Sequence, residues 1–233
     1  MIMEKIRREL KAADKPENKL DYQRFFKEKL KERYGLKTAV LRRIINDCYK
    51  DVKNLSKDEI LDICDELLES DIGYGLSFAF SWAEKLHGNY EKSDFNRFER
   101  WLKKYVDNWA SCDSLCGGAM GYLIFQFPEL WSNNKKWASS KNMWLRRASA
   151  VSLIIPVRNG LLLDEVFKIA DILLTDKEDL VQKGYGWMLK EAGNRFPKEV
   201  FAYVMKNKKE MPRTALRYAI EKYPPEKRKE AMK

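Results

Sequence analysis

Histidine is almost missing from this chain: His87 is the only one among 233 residues. Cysteine is sparse too, with Cys48, Cys64, Cys112 and Cys116 and no Cys-x-x-Cys spacing. Cys112 and Cys116 lie one helical turn apart, but nothing nearby supplies the other ligands a zinc ion needs. The reading is therefore no metal, no cofactor, and reduced thiols in a chain large enough to fold without a disulfide. No stretch approaches the ~20 consecutive apolar residues of a membrane span. The opening segment, Met1-Ile2-Met3-Glu4-Lys5-Ile6-Arg7-Arg8, lacks the ~7–15-residue apolar stretch of a secretory signal, so a cytoplasmic location is expected. Sustained two-residue alternation is absent, and the one Asn-Gly pair, Asn159-Gly160, is not flanked by alternating stretches, which argues against strands and hairpins.

What is present is helical. Apolar residues make up 45% and aromatic residues 12% of the chain, enough for a real core. Ile60, Ile63, Cys64, Leu67 and Leu68 follow the i, i+3, i+4, i+7 rule, as do Val166, Ile169, Ala170 and Leu173. Ser56-Lys57-Asp58-Glu59 reads as a capping box. Pro128 and Pro197 fit first helical turns, and Gly35, Gly88 and Gly160 fit helix ends. The expected class is all-α, with about a dozen helices of roughly 10–17 residues.

A faint period runs through the pattern. Gly73-Tyr74-Gly75 recurs as Gly184-Tyr185-Gly186, an interval of 111 residues, or three steps of 37. Stepping back from Gly184 by that length meets Arg147, Ala110 and Gly73. A degenerate repeat of ~35–45 residues with two helices per unit is what a HEAT-like solenoid produces. One such repeat domain over residues 1–233, stacked as a superhelix with a concave basic groove, is the expected architecture; an irregular helical domain is the alternative.

Charge is uneven. The net charge is +10, and residues 141–233 hold 20 Lys and Arg against 12 Asp and Glu, a net +8. A basic half points to a polyanion such as nucleic acid, although a solubilising lysine surface accounts for it equally well.

Three motifs stand out. Trp109 and Asp113 are four apart and share a helix face. Taken alone, that pair fits a packing tryptophan and a helix-capping carboxylate better than a binding site. Trp144 and Arg147 are three apart and also share a face, whereas Arg146 points about 100° away and fits a surface charge or a phosphate contact. Trp187 follows Gln182-Lys183-Gly184-Tyr185-Gly186. The two glycines each cost a helix ~1 kcal/mol relative to Ala, so a neighbouring helix or a ligand backbone should approach there. In the 37-residue phase, Trp109/Asp113, Arg147 and Trp187 form one row on successive inner helices. Trp82, Trp101, Trp131 and Trp137 lack charged companions and read as packing residues.

These motifs resemble the AlkD-like DNA glycosylases of the DNA alkylation repair group, which are built from HEAT-like repeats. The matching stretches are Trp109-Ala110-Ser111-Cys112-Asp113-Ser114, Asn142-Met143-Trp144-Leu145-Arg146-Arg147-Ala148 and Val181 through Glu191. The resemblance runs from about residue 20 to the C-terminus. It implies a lesion cleft lined by Trp109, Asp113, Arg147 and Trp187, with Phe26 where the family has a tyrosine, so that a hydroxyl is lost. Lys190 stands where relatives often carry arginine and can meet a phosphate only as a point charge. Arg146 and Lys183 are further candidates for the DNA backbone.

The resemblance further implies hydrolysis of the N-glycosidic bond of N3- or N7-alkylated purines, such as 3-methyladenine and 7-methylguanine, in double-stranded DNA. No lysine matches a Schiff-base nucleophile, so base removal without strand cleavage is expected. An alkylated purine is already cationic and needs no strong general acid to depart, consistent with the shortage of histidine. Asp113 would be the catalytic group. A monomer with no membrane association is the default. The rival readings are a non-catalytic HEAT-like protein that binds damaged or distorted DNA, and a protein–protein scaffold.

Overall fold

The computed structural model describes residues 1–18 and 34–233. Among these the chain is all-α, with no strand. It divides into two compact units, Met1–Asn89 and Tyr90–Lys233.

The first unit contains α1 (Ile2–Ala12), α2 (Thr38–Val52), α3 (Lys57–Glu69) and α4 (Gly75–Lys85). The capping box opens α3 as expected: the Ser56 hydroxyl accepts from the Glu59 N–H, and the Glu59 carboxylate accepts from the Ser56 N–H. That satisfies two of the donors a helix start leaves orphaned. The apolar stripe of α3 faces inward, burying Ile60, Leu61, Cys64, Leu67 and Leu68. Phe78, Phe80 and Trp82 of α4 complete this core, and the Trp82 indole donates to the Ile45 carbonyl at 3.1 Å.

The second unit begins with α5 (Asp94–Tyr105) and α6 (Trp109–Cys116), followed by α7 (Ala119–Gln126), α8 (Ser132–Ala138), α9 (Met143–Val151) and α10 (Ile154–Arg158). It continues with α11 (Leu163–Leu173), α12 (Asp179–Arg195), α13 (Pro197–Asn207), α14 (Arg213–Ala219) and α15 (Pro225–Met232). Several of these are shorter than the expected 10–17 residues: α6 and α7 have eight each, α8 has seven and α10 five. Breakers are the reason. Gly117-Gly118 separates α6 from α7, Pro128 opens a 3-10 turn, and Gly160 ends α10 with φ +84°. Gly88, read as a helix stop, instead lies inside a 3-10 turn over His87–Asn89. Gly35 follows residues outside the described range.

Within this unit α6 packs on α9, α9 on α12, and α12 on α14, forming a row. Helices α8 and α11 pack on each other; α8 also packs on α9 and α11 on α12, and α13 adds to α12. A row of adjacent helices backed by partners is the arrangement of a helical repeat stack. The row places residues from 113, 147 and 184 side by side although they are far apart in sequence. Trp101 and Trp137 are buried as packing residues, the latter stacked on Phe95 with ring centroids 5.7 Å apart.

Candidate nucleic-acid site on the α6–α9–α12 row

Two of the three helices are started by asparagine. The Asn108 side chain accepts from the Ser111 N–H at 3.0 Å and opens α6; Asn142 accepts from the Trp144 N–H at 2.8 Å and opens α9. These caps fix where Trp109, Asp113 and Arg147 fall on their helices.

Asp113 and Arg147 meet in a two-pronged ion pair. Arg147 Nε donates to Asp113 Oδ1 and Nη2 to Oδ2, both at 2.8 Å. The third prong, Nη1, donates to the Leu180 carbonyl in the first turn of α12. One guanidinium thus ties three helices together, using the planar fork that lysine lacks. The Arg147 side chain is only 6% exposed, whereas Asp113 keeps 20%. The carboxylate therefore still reaches solvent. Burial works against the charge of Arg147, but the hydrogen bonds and attraction from Asp113 outweigh it and hold the guanidinium above its ordinary pKa.

Gly184 explains part of this fit. A Cβ there would lie 3.1 Å from Arg147 Cγ and 3.4 Å from Nη1, so glycine leaves room for the arginine stem to cross α12. At Gly186 a Cβ would lie 2.7 Å from Tyr218 Cβ and 2.8 Å from the Ala215 carbonyl oxygen. Both glycines are thus explained by neighbouring protein, the first by α9 and the second by α14.

Trp109, half-buried, is the first residue of α6, one turn before Asp113. Trp187 is half-buried on α12, and its indole N–H donates to Glu191 Oε1 at 2.9 Å. Glu191 is a residue that the sequence pattern did not single out for function. It also accepts from Arg158 Nε at 2.9 Å and from Asn194 Nδ2 at 3.2 Å, with only 13% of its side chain exposed. Burial raises the Glu191 pKa, but the donors from Arg158, Trp187 and Asn194 prevail and hold it below the usual value. The signal in the sequence was its i+4 spacing from Trp187.

The cations expected at a DNA backbone are all engaged. Arg147 is bonded as described, with three of its five N–H donors taken by Asp113 and Leu180. Arg146 pairs with Asp176 at 2.6 Å and donates to the carbonyls of Ser140 and Lys141. Lys183 pairs with Asp179 at 3.1 Å, and Lys190 with Glu221 at 3.1 Å. Phe26 lies outside the described residues. The cysteines are buried free thiols; Cys112 Sγ approaches the Trp144 carbonyl at 3.7 Å, a further tie between α6 and α9. The hydrogen bond with Cys112 and burial push the Cys116 thiol well up, as befits an unreactive core residue. No group of three or more His, Cys, Asp or Glu side chains able to hold a metal occurs among the described residues.

An all-helical repeat stack carrying an accessible carboxylate, a buried guanidinium and half-buried indoles defines the class of protein. The chain belongs to the DNA alkylation repair enzyme family, whose model matches residues 6–223. Among solved structures it is similar to one described as a "Predicted DNA alkylation repair enzyme from Enterococcus faecalis", at 15% identity and a TM-score of 0.78, covering 91% of this chain and 97% of that one. At that identity the likeness concerns the fold. No protein of curated function matches the chain. No helix among the described residues is long and apolar enough to cross a membrane.

Proposed function

We propose that this member of the family is a monofunctional DNA glycosylase that hydrolyses the N-glycosidic bond of N3- or N7-alkylated purines in duplex DNA. The observation that carries the reading is the Asp113–Arg147 pair, in which a carboxylate is held by both oxygens yet stays open to solvent. A carboxylate has about four acceptor sites, so each oxygen keeps one after bonding Arg147. Those sites can accept from a water molecule and face the deoxyribose as its C1′ becomes electron-poor.

The chemistry asks little else of the protein. The alkylated base departs with the electrons of the broken bond and becomes neutral. Positive charge then develops on the sugar, and a preoriented anion stabilises it more in the transition state than in the ground state. At about 4 Å the attraction is of the order of 1 kcal/mol in water and ~4 kcal/mol in a partly excluded site. Arg147 holds the carboxylate in place from within the cleft. Trp109 and Trp187 offer ring faces to the cationic nucleotide, worth ~0.5–2 kcal/mol each. Glu191 sets the plane of the Trp187 indole. Phosphate contacts fall to other side chains.

One observation favours a second reading. Asp113 already has a structural task in neutralising buried Arg147, so a protein that binds damaged DNA without breaking a bond would keep the same pair. Purified protein incubated with methylated duplex DNA separates the two. Release of free methylated base, lost in Asp113→Asn while binding to an abasic-site analogue persists, supports the enzyme; binding without release supports the second reading.

A further inference from the structure

Exposed cations without a carboxylate partner lie at the C-terminal pair of helices. A groove of about 360 Å³ lies between the end of α14 and α15. Its cationic side is Arg217, Arg228 and Lys229, and Ile220, Pro225 and Met232 supply apolar surface. All three cations are exposed, and among the described residues none makes a side-chain hydrogen bond or ion pair. The lone carboxylate of the groove, Glu221, is already taken by Lys190 at 3.1 Å. Three like charges thus share one groove with no anion to balance them, an arrangement that repels itself until an anionic ligand arrives.

The groove is held by fixed walls. Arg213 donates to the Met232 carbonyl at 3.2 Å and Lys208 to the Glu230 carbonyl at 3.1 Å, which caps the end of α15 and ties it to the rest of the unit. Ala231 is buried beneath it, and the Tyr223 hydroxyl donates to the Pro197 carbonyl at 2.9 Å. The cleft in the first unit differs: Lys5 and Arg43 there face Glu9 and Asp47, and Lys5 is bonded to Asp51. That cleft is balanced in charge and calls for no ligand.

The groove also adjoins the site. Gly186 packs directly on Ala215 and Tyr218 of α14. Lys190, one turn beyond Trp187, reaches Glu221 in the groove itself.

We infer that Arg217, Arg228 and Lys229 form a binding surface for the sugar–phosphate backbone of duplex DNA, next to the α6–α9–α12 row. It reads no sequence and supplies affinity that weakens with salt. The inference rests on the DNA-binding part of the proposed function but not on its chemistry.

The test is the salt dependence of binding to a short undamaged DNA duplex by the full chain. Replacing the three cations together, as Arg217→Gln, Arg228→Gln and Lys229→Gln, should lower the slope of log K against log salt by about 2–3, because each lost phosphate contact removes ~0.9. As exposed residues their loss leaves the fold intact, checked by an unchanged melting curve. Base release at limiting DNA should fall in step with the lost affinity, since affinity and not chemistry is altered. An unchanged slope and affinity would overturn the inference, as would a triple variant that loses binding to anionic lipid vesicles in place of DNA. Failure of the glycosylase reading looks different: the parent releases no base, yet the slope still drops in the variant.

Discussion

The charged groups of the α6–α9–α12 row and those of the C-terminal groove obey opposite rules. In the row, every assigned cation has a protein carboxylate, and Arg147 is almost wholly buried against Asp113. In the groove, Arg217, Arg228 and Lys229 are exposed and unbalanced. A buried guanidinium without a partner would cost several kcal/mol, so it must be paired within the fold, and once paired it serves geometry. An exposed cation costs little to leave unpaired, and it remains available to a polyanion. Charge near a site therefore says little about phosphate binding until its pairing is known.

The strongest way to break this contrast is Asp113→Asn. It should lower base release by about 10²–10⁴-fold, the range of a lost acid–base group, in a single-turnover assay on methylated duplex. Leaving Arg147 without its anion should also cost up to about 3–5 kcal/mol, read by urea unfolding. Release that survives in a folded variant would make the pair purely structural.

Next in size is Gly186→Ala. Helix propensity favours alanine by ~1 kcal/mol, but the new methyl meets the backbone of Ala215 and the Cβ of Tyr218, which cannot yield cheaply. A net loss of about 1–3 kcal/mol is expected, as for other overpacked contacts, and a stabilised variant would show that α12 and α14 are not in firm contact.

A smaller effect belongs to Glu191. Glu191→Ala should lower kcat/KM for base release by about tenfold, the loss of one hydrogen bond to a charged group, while Glu191→Gln keeps an acceptor for the indole and restores most of it. The pH dependence has a definite sign. Because the folded protein holds Glu191 below its ordinary value of 4.5, its contribution is complete above that value and fades as pH falls through the lowered one. The part of the tryptophan fluorescence that is absent from Trp187→Phe should change over that acid window and lose the change in Glu191→Gln.

The smallest effect is expected from Lys183→Gln. Its partner Asp179 already offsets the charge, so stability should move by less than about 0.5 kcal/mol and the salt slope by well under one. A drop of a full unit would mean that pairing within the protein does not disable a cation for DNA.

Much of the scaffold was legible from local pattern. The stripes of Ile60–Leu68 and Val166–Leu173, the Ser56 box and Pro197 at the head of α13 all involve residues within a turn or two of each other. The helix lengths over residues 109–158 were overestimated, because Gly117-Gly118 and the turn at Pro128 interrupt a continuous apolar pattern. At the site, the spacing of Trp109 and Asp113 indicated a shared face. It gave no sign that Arg147 would spend three of its five N–H donors on Asp113 and Leu180. Glu191 escaped notice because its three donors come from Arg158, Trp187 and Asn194, only two of which are close in sequence.

By itself the order of residues determined the all-helical class, the helix starts and the positive balance of the C-terminal half, since propensity, capping and net charge depend on near neighbours or on counting. Only the tertiary structure decided which positive charges are neutralised, why a methyl at Gly184 or Gly186 would crowd a neighbouring helix, and which carboxylate holds the Trp187 ring. Those are matters of distance between helices, and a chain expresses them only once packing has brought residues dozens of positions apart within a few ångströms of each other.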